Sequence, residues 1–145
     1  MSNDQERVIC AMSGGVDSSV AAKLLVDAGY DVMGVTMKLF DSDGVILEEG
    51  SRTCCSLEDV EDARAVAFGL GIPYQVFNYT DTFGTCVIDR FCQAYLEGHT
   101  PNPCIDCNRF LKFGALQQRR RELGFDYVAT GHYARRAYDE ETGRY

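Results

Sequence analysis

The chain has 145 residues, of which 46% are hydrophobic and 25% charged, with a net charge of −8. Those figures suit one ordered domain with a sizeable core and exclude a disordered chain; no apolar run nears the ~20 residues that span a bilayer. The acidic balance also excludes a surface that grips nucleic acid over its whole extent, while leaving room for a local basic patch.

The opening residues are polar and run straight into an apolar stretch. No secretory signal is read there, so a cytoplasmic location with no membrane partner is expected. The seven cysteines are an odd number. Without an export signal they do not suggest a disulfide framework, and each is weighed as a core residue, a metal ligand or a reactive thiol.

Predicted strands and helices alternate along the chain. Residues 7–12 (RVICAM) form a short apolar strand ending at Ser-Gly-Gly. Residues 17–28 follow as a helix, with Val20, Ala21, Leu24, Leu25 and Ala28 spaced as one buried face and Gly29 closing it. Residues 31–37 (DVMGVTM) read as a second buried strand, and the polar, acidic stretch 40–53 as a loop. Ser56 then offers an N-cap, with Asp59 three residues on, for a helix that carries Val60, Ala63 and Ala67 and ends near 69–71. Residues 73–78 are a third strand. Phe83, Val87, Phe91 and Tyr95 recur every four residues across 81–97, a helix closed by Gly98. A proline-containing loop over 100–107 leads to a helix over 108–123, and 127–130 is a fourth strand running into Gly131 and His132. Residues 139–144 resemble a hairpin turn. With no helix after the fourth strand, the chain reads as part of something longer.

This alternation predicts an α/β fold, a parallel sheet flanked by helices on both faces. Ligands of such sheets sit at the carboxyl ends of the strands. That rule puts residues 13–19, Met37 and Gly131 along one edge.

The segment Ser13, Gly14, Gly15, Val16, Asp17, Ser18, Ser19 lies between a strand and a helix, the setting a phosphate loop requires. Two glycines allow a sharp turn that brings N–H groups to phosphate oxygens. Ser13, Ser18 and Ser19 offer hydroxyls, the helix start offers partial positive charge, and Asp17 is a candidate Mg²⁺ ligand. No Gly-Lys-Ser/Thr is present, so this is neither a Walker A loop nor a dinucleotide fingerprint. SGGxDS after a strand resembles the PP-loop of the N-type ATP pyrophosphatases. That resemblance implies an adenine nucleotide alpha hydrolase-like fold and a loop that holds the β and γ phosphates while an acceptor attacks the α phosphorus.

Cys104 and Cys107 form a CxxC pair inside TPNPCIDCN. Cys107 falls at the expected helix start, where a thiolate is favoured, and Arg109 and Lys112 would add to that effect. Read from the residues alone, the pair is a redox dithiol, half a zinc site, part of an iron–sulfur site, or a nucleophile with a helper. A structural zinc site needs four ligands and no second CxxC exists in the chain.

Taken together, SGGVDSSVAA, GVTMK, CCSLEDVEDARAVA, GIPYQVFNY, the F-x3-V-x3-F-x3-Y helix, TPNPCIDCN-x3-KF and ATGHYAR occur in that order over nearly the whole chain. They resemble the tRNA-specific 2-thiouridylase family. The resemblance implies that residues 1–145 are the N-terminal PP-loop ATP pyrophosphatase domain, with later tRNA-binding and barrel domains not included. It implies ATP-dependent adenylation of C2 of the wobble uridine, then sulfur transfer from a cysteine persulfide with release of AMP. The partners implied are the anticodon loop of tRNAs for glutamate, glutamine and lysine, and a sulfur donor or persulfide relay protein.

Carried over by position, the nucleotide contacts are Ala11, Met12, Ser13, Gly14, Gly15, Val16, Asp17, Ser18, Met37 and Gly131. Cys107 matches the catalytic cysteine, while Asn102, Pro103 and Cys104 match the stretch that meets the target base; Lys112 is a further tRNA candidate. Many members carry aspartate where this chain has Cys104. The change removes a carboxylate from the acid–base role and leaves Cys104 as a second catalytic candidate. It also opens an iron–sulfur site on Cys104, Cys107 and a third cysteine. The family's second catalytic cysteine, which would form a disulfide with Cys107, is expected beyond Tyr145.

Weaker signals remain divided. Arg119, Arg120 and Arg121 are either phosphate contacts or a solvated helix end. His132 is either a ligand contact or a structural histidine, and His99 is a helix-end residue. Cys10, Cys86 and Cys92 read as small core residues, and Cys54 and Cys55 receive no chemistry. Two rival readings share the phosphate loop: a PP-loop synthetase or amidotransferase acting on a small molecule, and a non-catalytic module that binds nucleotide or metal.

Overall fold

A computed structural model describes residues 5–40 and 57–145. Four strands, β1 (Arg7–Ala11), β2 (Asp31–Lys38), β3 (Tyr74–Asn78) and β4 (Tyr127–Ala129), form one sheet in the order β3-β2-β1-β4. Every pairing is parallel. The chain grows outward from β1 to β3 and then returns to β1's other side with β4. The strand order therefore reverses at β1, which is where an open parallel sheet leaves a crevice at its carboxyl edge. The expected α/β fold is borne out.

Alternation along each strand divides the core in two. Cys10, Met12 and Val32 pack with Ala22, Ala63 and Ala67 from α1 (Val16–Asp27) and α2 (Leu57–Leu70). Ile9, Met33, Val35, Met37 and Phe77 pack on the opposite face with Val87, Leu111 and Leu116. These last three come from two composite helical runs. The first is α3 (Thr80–Phe83), a π-helical turn (Gly84–Ile88) and α4 (Asp89–Leu96). The second is α5 (Pro103–Asp106), a π-helical stretch (Cys107–Ala115) and α6 (Leu116–Glu122).

Helix α1 is where the sequence reading needs correction. Ser18 and Ala22 are its buried residues, with Ala21, Leu25 and Val26 packed beside them. Val20 and Leu24, expected on the buried face, are 49% and 62% exposed. They sit two residues from Ala22 on either side, about 200° round an α-helix. The C-terminus follows expectation: Gly29 has φ +88°, its N–H donates to Val26 O, and Tyr30 N–H donates to Leu25 O.

The π segments were not foreseen. A strict four-residue repeat drifts around a helix of 3.6 residues per turn, and the wider turn between Phe83 and Phe91 absorbs part of that drift. In the second run Leu111 and Leu116, five residues apart, are both fully buried. Ordinary α winding would set them about 140° apart; π winding keeps both on the sheet.

The second run also begins earlier than residue 108. Asn102 caps it, its Oδ1 accepting from Cys104 N–H at 3.0 Å, and Pro103 occupies the first turn. At its far end Arg120 Nη1 donates to the carbonyls of Phe125 (2.6 Å) and Asp126 (2.8 Å), tying α6 to the start of β4. Because β4 is parallel to β1, the run starts at the carboxyl edge of the sheet and finishes at the amino edge.

Asp139 and Arg144 form an antiparallel bridge with Gly143 at φ +67°, the expected hairpin turn. Ser56, Cys54, Cys55 and the predicted loop over 40–53 lie outside the described residues, apart from Phe40. No helix among the described residues is long and apolar enough to cross a membrane. Replacing Leu111 with alanine removes a fully buried side chain from the π stretch. The expected cost is about 2–5 kcal/mol, read as a lower denaturant midpoint at unchanged slope.

Candidate functional site

The end of β1 is pinned before the loop begins. Met12 N–H donates to Val35 O at 2.8 Å, and Met12 O accepts from the buried Thr36 hydroxyl at 2.7 Å. Tyr74 OH in turn donates to Thr36 Oγ1 at 2.7 Å. The chain then turns at Gly14, whose φ is +77° and whose missing Cβ would lie 2.5 Å from Asp59 O of α2. Gly15 differs: it is extended (φ −80°) and serves as N-cap of α1 without a side-chain cap.

The serines act mainly on the loop itself. Ser18 Oγ accepts from Ser13 N–H (3.2 Å) and donates to Gly15 O (3.1 Å); Ser19 Oγ donates to the same carbonyl at 2.9 Å. Two of the three predicted hydroxyl donors are therefore turned inward, and only Ser13 is exposed. What remains facing outward is the start of α1, whose amides no side chain caps. Those amides and the helix dipole suit phosphate oxygens.

Residues following β4 lie against this turn. A Cβ on Gly131 would come within 2.7 Å of Ser18 N and 3.0 Å of the Asp17 carbonyl carbon. Tyr133 OH donates to Asp17 Oδ1 at 2.7 Å, and this bond with the nearby carboxylate charge pushes the Tyr133 hydroxyl's pKa up. His132 Nδ1 lies 2.8 Å from Thr130 Oγ1, and its ring centre is 5.8 Å from that of Phe113. The stretch 131–133 thus touches both α1 and the cysteine-bearing helix. Tyr133 and Phe113 were not singled out from the sequence, although ATGHYAR and the KF pair contain them.

Asp17 is exposed beside the uncapped amides. A single carboxylate next to bound phosphates is the usual protein share of a Mg²⁺ site, so the position fits that ion. Met37 is buried with its side chain in the core, so it can meet a nucleotide only through its backbone. Ala11 packs against the same cluster, and Val16 is exposed.

On the cysteine-bearing helix, the corrected start places Cys104 in the first turn and Cys107 one turn further in. Cys104 is exposed; Cys107 is half-buried and packs against the core. Winding by i→i+5 bonds brings Lys112 nearer the face of Cys107 than α winding would. Arg109 lies over the Phe110 ring at 5.4 Å. No group of three or more His, Cys, Asp or Glu among the described residues is arranged to hold a metal.

Cys10, Cys86 and Cys92 are free thiols. Cys10 is buried, and burial pushes its pKa up to about 11. Cys86 is half-buried, whereas Cys92, expected in the core, is exposed on the outer side of α4. Arg119 pairs with Glu122 at 3.0 Å and lies over the Phe77 ring at 5.4 Å, near the carboxyl end of β3, whereas Arg120 is bonded to the carbonyls that precede β4. Clefts of about 500 Å³ beside Tyr79 and Arg119 and about 550 Å³ between α1 and α2 are lined by neither Cys104 nor Cys107.

Residues 6–145 match the family model of the tRNA methyl transferase HUP domain. The chain is 57% identical over 97% of its length to the tRNA-specific 2-thiouridylase MnmA of Desulforamulus reducens. It is 61% identical over 93% of its length to that of Moorella thermoacetica. Each match covers 38% of the relative, so the chain spans well under half the length of these curated proteins. Among solved structures, a predicted subunit of tRNA methyltransferase from Methanocaldococcus jannaschii matches with TM-score 0.55 and 22% identity, over 88% of this chain and 53% of that one. A glutamine-dependent NAD+ synthetase from Acinetobacter baumannii, solved with ADP, matches with TM-score 0.55 and 20% identity, over 84% and 21%. At such identities the likeness is one of fold.

The two loop glycines make opposite forecasts. Gly14→Ala forces a left-handed conformation and overlaps the Asp59 backbone. It should cost about 2–5 kcal/mol in chemical denaturation. Gly15→Ala meets only Ser13 Oγ at 3.5 Å and should cost less than about 1 kcal/mol.

Proposed function

Because the chain belongs to the tRNA methyl transferase HUP domain family, we propose that it is the ATP-using domain of a tRNA uridine 2-thiolating enzyme. The observation that carries this reading is the pairing of two features at one sheet edge. One is a tight Ser-Gly-Gly turn opening an uncapped helix; the other is a capped helix start bearing Cys104 and Cys107. The names of the relatives, tRNA-specific 2-thiouridylases, support the same substrate and sulfur chemistry. Residues 1–145 would serve as the N-terminal PP-loop domain, with tRNA-binding and barrel domains in the remaining length of such enzymes.

The nucleotide lies along Ala11, Met12, Ser13, Gly14, Gly15, Val16, Asp17 and Ser18, with Met37 and Gly131 beside it. Amides of the loop and of the α1 start hold the β and γ phosphates. Mg²⁺, held by Asp17, supplies charge neutralisation to the phosphates when bound. The uracil O2 attacks the α phosphorus and pyrophosphate departs; the adenylated oxygen becomes a good leaving group. A persulfide sulfur carried by another cysteine then attacks C2, and AMP leaves with the former O2. The Cys107 thiolate attacks the cysteine sulfur of that adduct, so a disulfide forms and the thiolated base is released. A reductant must then restore the dithiol.

Asn102, Pro103, Cys104 and Lys112 meet the target base and its backbone. The base has to leave the anticodon stack to reach the edge. The relevant tRNAs would be those for glutamate, glutamine and lysine, served by a sulfur donor or relay protein, in the cytoplasm.

In the full-length enzyme, Cys107→Ser should abolish thiolation, by more than about 100-fold, while ATP binding stays unchanged. Thiolation that persists in this variant would remove Cys107 from the sulfur path. AMP release that is indifferent to tRNA would instead favour a small-molecule synthetase.

A further inference from the structure

Two thiols stand one helical turn apart on the cysteine-bearing helix, and the sulfur path above uses only one of them. Cys107 N–H donates to the carbonyls of both Pro103 and Cys104. The bond to Cys104 closes an i→i+3 turn, which brings the fourth residue round over the first. In such a turn the two Cα atoms lie roughly 5 Å apart, inside the ~4.4–6.8 Å that a disulfide bridges. The turn is held at both ends. Asn102 Oδ1 accepts from Cys104 N–H at 3.0 Å, and Asp106 pairs at 3.3 Å with Arg90 of α4. Arg90 also lies over the Phe110 ring at 5.2 Å.

The two sulfurs differ in access. Cys104 is exposed, whereas Cys107 is half-buried and packs against the core. A disulfide made on Cys107 is therefore a poor target for a protein reductant, whose own thiolate must reach a sulfur directly. Cys104 combines a sulfur at the surface with a fixed position one turn from that bond. A group held in place reacts at an effective concentration that no diffusing thiol attains. Of the readings open to this CxxC pair, the redox dithiol is the one that the difference in access fits.

We propose that Cys104 and Cys107 form a redox-active pair in which Cys104 clears the disulfide that each thiolation leaves on Cys107. This rests on the thiolation reading above and supplies its last step. The Cys104 thiolate attacks the Cys107 sulfur. The bond between Cys107 and the sulfur-delivering cysteine breaks, and that cysteine leaves as a thiolate that can be loaded again. The oxidising equivalent is now held in a Cys104–Cys107 disulfide. One thiolate of a dithiol protein of the thioredoxin class then attacks Cys104, and Cys107 leaves as a thiolate. The second thiol of the reductant displaces Cys104. The reductant ends as its own disulfide, and its two protons pass to the restored dithiol.

The test uses the full-length enzyme, loaded once with persulfide and given ATP and tRNA without reductant, then alkylated and digested. The parent should yield a peptide in which Cys104 and Cys107 are joined and neither is alkylated. Thiolated tRNA accompanied by an alkylated Cys104 overturns the proposal and leaves the thiolation reading intact. No thiolated tRNA at all defeats that reading, and the proposal with it. Neither result needs a substitution. Cys104→Ser and Cys104→Ala should each leave Cys107 joined to the delivering cysteine. Their steady-state rate with a thioredoxin-class reductant, divided by the amount thiolated in the first turnover, should fall at least about 10-fold. Dividing by the first turnover removes any effect of the substitution on base contact or on the folded fraction. A small dithiol, which diffuses to the inner bond, should restore most of the loss. A ratio equal to the parent's overturns the proposal, as does a loss that the small dithiol leaves unrepaired.

Discussion

The carboxyl edge is organised by one close approach, that of Gly131 to the first turn of α1. No side chain fits between them: the space a methyl would need is already held by the backbone of Asp17 and Ser18. That contact brings the end of β4 onto the Ser-Gly-Gly turn, and two side-chain contacts follow from it. Tyr133 reaches Asp17, and His132 meets Phe113 on the second composite helix. Were the approach looser, α1 and the cysteine-bearing helix would meet the edge independently, each from its own face of the sheet.

Small residues permit a comparable intimacy within the α1–α2 layer. Ala22, Ala63 and Ala67 are fully buried against β1 and β2, and Gly34 presents no side chain where Met12 Sδ lies. The two helices can therefore sit low on the sheet, low enough for Gly14 to pass beside the Asp59 backbone. The Tyr74–Thr36–Met12 chain of hydrogen bonds fixes the strand end from beneath. The Ser-Gly-Gly turn is thus shaped by packing from three sides. Its conformation does not depend on the three serine hydroxyls facing outward, and two of them do not.

Much of this was legible in the residue pattern. Strand–helix alternation gave the parallel sheet, and Gly29 and Gly71 marked helix ends, with φ of +88° and +68°, because only left-handed backbone closes a helix that way. Other features were hidden for physical reasons. Prolines at 101 and 103 suggested a loop, yet Asn102 followed by Pro103 is an N-cap and first-turn pair, so the helix began earlier. Val20 and Leu24 looked internal because apolar spacing says which residues share a face without saying which face meets the sheet. Cys92 was misjudged on residue type alone. The contact of Tyr133 with Asp17 joins positions 116 residues apart, and no local pattern encodes it. The site residues carried over from the family pattern fall near one edge, but only the coordinates revealed the bond from Cys107 N–H back to Cys104 O.

The π-helical stretch from Cys107 to Ala115 has a consequence of a different kind. Such winding is equivalent to an α-helix carrying surplus chain, so its phase is set by residue count as much as by side-chain identity. Excising one residue from the interior of the stretch would let the backbone relax to ordinary α pitch. Lys112 and everything after it would then rotate relative to Cys107, and Leu116 would have to find the sheet again. Chain length is therefore an adjustable dial at this position, and homologous enzymes that differ here by a single deletion would present a differently aimed cation beside the same thiol.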